Sequence, residues 1–74
     1  MRVYDFEVLR EGAVVAAERC VRLPDPRAAW LEVERLARRH PQPGCKIRVK
    51  DETGRIVILT GVVSVLRHAR KRAA

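Results

Sequence analysis

Hydrophobic and polar positions alternate cleanly at the start of the chain. Tyr4, Phe6 and Val8 fall on one side of residues 2–10, and Asp5 and Glu7 fall on the other. A period of two, rich in aromatic and β-branched residues, predicts a half-buried strand. Glu11-Gly12-Ala13 reads as a turn, Gly12 supplying the positive φ that a reversal needs. Residues 14–23 form a second strand with Val15, Ala17, Val21 and Leu23 on one side. The adjacent charges Glu18 and Arg19 interrupt its apolar run, which suits an edge or a bulge.

Leu23-Pro24-Asp25-Pro26 then announces a helix. Asp25 has the side chain to accept from the first free amides, and Pro26 fits the first helical position, where a missing N–H costs nothing. The helix is expected from Pro26 to about His40, stopping before Pro41. At the helical period Ala29, Trp30, Val33, Leu36, Ala37 and His40 share one face, with Arg27, Leu31, Glu34, Arg35 and Arg38 opposite. Pro41-Gln42-Pro43-Gly44 is a loop by composition. Alternation resumes with Ile47 and Val49 inward and Lys46, Arg48 and Lys50 outward. Asp51-Glu52-Thr53-Gly54 reads as a hairpin loop. Residues 55–60 make a fourth strand in which Ile56, Val57, Ile58 and Leu59 are all apolar, the pattern of a strand covered on both faces. Gly61 marks a bend. Residues 62–66 continue that strand or turn away, and from Arg67 onward the absence of a core-forming pattern predicts a mobile tail.

The expected architecture is α+β, of ββαββ type, with one helix on a four-stranded sheet. Placing the most apolar strand centrally gives a β-grasp-like order 2-1-4-3 with strands one and four parallel; the alternative is an all-antiparallel 2-1-3-4. Residues 1–66 are expected to form a single domain and residues 67–74 a basic tail.

Seventy-four residues allow one domain, and a chain this short buries only roughly 60% of its unfolded surface. At 47% hydrophobic and 34% charged residues, the composition excludes a disordered chain. Charges at Arg2, Asp5, Glu7, Arg10 and Glu11 interrupt the apolar run a signal peptide needs, so none is expected in this segment. Thr60, Gly61 and Ser64 break the longest apolar stretch, which is too short to span a bilayer as a helix. The expected compartment is the cytoplasm, with no membrane partner and with Cys20 and Cys45 as reduced, buried or half-buried thiols.

The net charge of +7 is uneven: residues 1–45 carry eight Lys/Arg against seven Asp/Glu, and residues 46–74 carry eight against two. Lys46, Arg48 and Lys50 recur at every second position, so they project from one strand face about 7 Å apart. With Arg67, Arg70, Lys71 and Arg72 of the tail they form a candidate set for salt-sensitive, sequence-independent contact with phosphates. No aromatic residue is interleaved with them in sequence, and no nucleic-acid motif is present. Lysine on an edge strand also serves simply to prevent aggregation.

No catalytic or metal constellation emerges. Cys20 and Cys45 are 25 positions apart and fit no zinc spacing. His40 reads as a helix C-terminal residue. Asp51 and Glu52 read as turn residues rather than an acid–base pair, Ser64 lacks a nucleophile context, and no glycine-rich phosphate loop exists. No cofactor is expected.

The spacing Tyr4, Phe6, Val8, then Leu23-Pro24-Asp25, Ala28-Ala29 with Glu32, and Val49-x-Asp51-Glu52-x-Gly54-Arg55 resembles a family of short uncharacterised proteins common in alphaproteobacteria, over roughly residues 3–60. The resemblance implies a bacterial cytoplasmic protein with a helix between two hairpins. That family has no established activity and so brings no functional residues. Trp30 and the basic C-terminus depart from its pattern.

The functional expectation is a non-enzymatic protein acting by association. The sheet face without the helix would carry Val57, Leu59 and Val63, with Val3 and Leu9 nearby. That patch is too apolar to stay wet, which points to a homodimer or another protein partner. Non-specific nucleic-acid binding through the basic third strand and tail is the alternative.

Overall fold

In the computed structural model, which describes residues 1–73 with the side chains of Arg72 and Ala73 left aside, the chain runs β1 (Arg2–Arg10), β2 (Ala13–Leu23), α1 (Pro26–Arg39), β3 (Cys45–Asp51), β4 (Ile56–Gly61) and α2 (Val62–Ala73). The strands form one antiparallel sheet in the order β2-β1-β3-β4. The fold is α+β, and both helices pack on the same face of the sheet.

Local chemistry explains most boundaries. Glu11 and Gly12 both lie in the left-handed region, φ 52° and 80°, the geometry of a two-residue type I′ hairpin. Asp25 caps α1 by accepting from the Ala28 amide at 3.0 Å, and Pro26 opens the first turn. The His40 amide closes the helix on the Leu36 carbonyl at 3.0 Å. In the β3–β4 hairpin Asp51 Oδ1 accepts from the Thr53 amide, the Thr53 hydroxyl and the Arg55 amide. These bonds, the hydroxyl first, hold the Asp51 carboxyl below the usual carboxylate range.

The core lies between sheet and helices. Phe6, Val8, Ile47, Val49, Val33 and Val62 are fully buried at its centre, joined by Tyr4, Ala29, Leu36, Ala37, Cys45, Ile58 and Val65.

Three expectations are corrected. The strand order is the all-antiparallel alternative, not 2-1-4-3, and β1 pairs with β3 rather than running parallel to β4. Apolarity misplaced β4: it is an edge strand, and of its four apolar residues only Ile58 is buried. The cation-bearing β3 is internal, because its inward side chains Cys45, Ile47 and Val49 belong to the core and Arg48 sits opposite Glu7 of β1. Cys45 is accordingly buried on an inner strand, whereas Cys20 is exposed on β2; both are free thiols.

The expected mobile tail is largely a second helix. α2 begins directly after β4 and buries Val62, Val65 and Ala69 against the core. Burying the two valines stabilises this docking by at most about 1.5–3 kcal/mol each. Arg70 and Lys71 lie toward its C-terminal end, where cations complement the helix dipole. The basic side chain expected at Arg72 and the chain end at Ala74 lie outside the described residues.

Candidate interaction surfaces

Strand alternation sends Asp5, Glu7 and Leu9 of β1 and Lys46, Arg48 and Lys50 of β3 to the face away from the helices. Sequence alternation assigned Glu7 to solvent. It is instead only 4% exposed, buried beneath three cations. Arg48 Nε donates to Glu7 Oε1 at 2.9 Å, Arg19 Nη2 donates to Oε2 at 3.3 Å, and Lys50 Nζ lies 3.6 Å from Oε1. The Arg48 hydrogen bond, aided by the charges of Arg48 and Lys50 and by Arg19, outweighs burial and holds the Glu7 carboxyl below its ordinary range.

The two edges of this face differ. β2 departs from regular pairing twice. Val15 is an extra residue between Val14, opposite Leu9, and Ala16, opposite Val8. Arg19 and Cys20 together oppose Asp5, and Cys20 adopts φ 57° with its amide donating to Asp5 Oδ1 at 2.8 Å. The expected common side for Val15, Ala17, Val21 and Leu23 is therefore broken by bulges. Glu18 turns to the helix side, where Arg35 Nη2 of α1 reaches both its oxygens at 2.6 Å. Glu18, then Glu32, raise the Arg35 pKa.

On β4, Leu59 faces Arg48 and Ile56 faces Lys50, on the face away from the helices. Val57 is the extra residue at the register shift between Val49 and Lys50. All three are exposed, Leu59 to 58%. A shallow hollow of about 420 Å³ runs from Leu9 and Lys46 past Arg48 to Ile56 and Leu59. Val63, expected on this sheet face, is instead on α2 and exposed there.

The basic residues fall into two separate groups. Lys46, Arg48 and Lys50 lie on the face away from the helices, two of them engaged with Glu7. Arg67, Arg70 and Lys71 are exposed on α2, across the sheet from them.

A second concave surface lies between the helices. Arg27, Trp30, Leu31 and Glu34 of α1, Thr60 of β4, and Ser64, Val65 and His68 of α2 line a groove of about 680 Å³. Trp30, which the helical period puts on the same face as Val33 and Leu36, is 46% exposed on its wall. His40 remains a helix-terminal residue and lines neither hollow, whereas His68 lines the groove. Among the described residues no group of three or more His, Cys, Asp or Glu side chains converges as a metal site would require, and no helix is long and apolar enough to cross a membrane.

No known family model, curated protein or solved structure matches this chain.

The groove was missed because α2 was missed. Val62, Val65, Leu66 and Ala69 stand at i, i+3, i+4 and i+7, a helical signal present in the sequence. The β-branched Val62, Val63 and Val65 suit a strand as well, which left residues 62–66 open between a continuing strand and a separate element.

Proposed function

We propose that this protein is a non-enzymatic self-association module that pairs β4 with β4 of a second copy. The observation that carries this reading is the composition of the β4 edge. Ile56–Gly61 contains no charged residue and no proline, and it exposes Ile56, Val57 and Leu59. An open edge of this kind is a template for strand addition. Antiparallel pairing about a two-fold axis brings β4 against an identical strand without opposing like charges, and it continues the sheet into the second copy.

Stacking of two bare sheet faces has less support. Arg19, Arg22, Lys46, Arg48 and Lys50 outnumber Asp5 and Glu7 there, so each copy would meet its own excess charge. Nucleic-acid binding through one continuous basic surface also has less support, because the sheet separates the two basic groups and Glu7 already holds Arg48 and Lys50.

Light scattering and sedimentation over a concentration series test the proposal. A dimer at tens of micromolar that becomes monomeric on Leu59→Lys, with unchanged circular dichroism, is the expected result. A wild-type protein that stays monomeric throughout removes the basis for it.

A further inference from the structure

We propose that the groove between α1 and α2 binds a small aromatic anion: an apolar ring system carrying one sulfonate, carboxylate or phosphate group. The site touches β4 only at Thr60, its other lining residues belonging to the two helices, and the argument does not depend on self-association.

Three properties of the groove define the ligand. Its volume of about 680 Å³ falls within the range of small-molecule sites, on the order of 300–1,000 Å³. Its walls carry the indole of Trp30 with Leu31 and Val65 beside it, a surface for an offset-stacked ring. Leu31 is 63% exposed, so this apolar wall is unshielded by the protein itself.

The third property is charge. Arg27 takes part in none of the ion pairs among the described residues. His68 lines the opposite wall, and α2 contains no Asp or Glu while carrying the exposed Arg67, Arg70 and Lys71 outside the groove's lining. The one carboxylate among the groove's described lining residues, Glu34, lies 3.9 Å from Arg38 Nη2. An anionic head group is drawn to this field, with the Thr60 and Ser64 hydroxyls available as donors to it. An aromatic cation or an uncharged ring leaves Arg27 without a counter-charge. A nucleic-acid strand calls for a row of stacking platforms, and Trp30 is the chain's only tryptophan, with Tyr4 and Phe6 buried in the core.

That single tryptophan makes the test direct. The full chain is titrated with anilinonaphthalene sulfonate and, separately, with the uncharged phenylnaphthylamine, following Trp30 emission and dye fluorescence. The expected result is saturable binding of one sulfonate dye per chain with quenching of Trp30. Arg27→Gln should weaken the sulfonate dye about tenfold and leave the uncharged dye unchanged. Leu31→Ser should weaken both, and Leu59→Lys neither, so that failure here is distinguishable from failure of the β4 proposal. Arg27 and Leu31 are exposed, and unchanged circular dichroism confirms that their variants fold. Dye binding without Trp30 quenching, insensitivity to Arg27→Gln, or loss on Leu59→Lys would overturn the assignment. So would displacement of the dye by a single-stranded oligonucleotide at far lower concentration than by free naphthalene sulfonate.

Discussion

The two edges of the sheet meet water on different terms. β2 is interrupted twice, carries Glu18, Arg19 and Arg22, and is tied to the rest of the molecule through Asp5, Glu7 and Arg35. β4 has one register shift near its start, no charge, and three exposed aliphatic side chains. Both are open edges of the same sheet. Bulges and charges on the first twist and solvate it in ways that oppose strand addition, whereas the second lacks every such device except its single bulge. A short chain with a thin core gains from leaving one edge unguarded only if something pairs with it, and that contrast underlies the self-association proposal.

The largest effect that would break the comparison is at Leu59. Leu59→Lys should raise the dimer dissociation constant by about a hundredfold, or about 2.7 kcal/mol, as read by sedimentation equilibrium. Val15→Lys, the matching change on β2, should leave self-association unchanged; equal losses at both sites would show that the edges do not differ.

Glu7 is the next largest. Glu7→Gln removes the carboxylate that neutralises the inner strand β3 and should cost about 1–2 kcal/mol in urea unfolding, discounted because Arg19, Arg48 and Lys50 can reach water. The folded-state pKa of Glu7 is depressed, so its contribution is complete above the unfolded carboxylate value and is lost as pH falls through the folded one. The gap between wild type and Glu7→Gln melting curves should therefore close below about pH 4.

Glu18→Gln weakens the anchor between β2 and α1. It should cost about 1 kcal/mol or less, since the Arg35–Glu18 pair is partly exposed, and it should increase hydrogen exchange in β2 more than in β4. Cys20→Gly is expected to have the smallest effect and the opposite sign. A left-handed backbone at a non-glycine residue costs about 1 kcal/mol, part of which glycine recovers, so thermal unfolding should shift slightly upward.

Much of this architecture is legible in single segments. The Glu11-Gly12 reversal, the Asp25-Pro26 helix start, the Asp51–Gly54 loop and the alternations around Phe6 and Ile47 are written in residues close together in the chain. The candidate surfaces are less so. Leu59 and Val57 can be read as exposed apolar residues only once β4 is known to be an edge. Trp30 looks like a core residue by its helical angle, and it becomes the wall of a groove only when α2 docks beside α1.

By itself the sequence determined the element types up to Gly61, because turn chemistry and hydrophobic period act over a few residues. Tertiary structure alone decided which strand lies inside, and the reason is electrostatic as well as hydrophobic. β3 carries cations suited to an edge, yet a carboxylate forty-one positions earlier, Glu7, stands opposite Arg48 and pairs with Arg48 and Lys50, which accommodates them on an inner strand. Partners so distant in sequence meet only when the strands register, so no local pattern announces them.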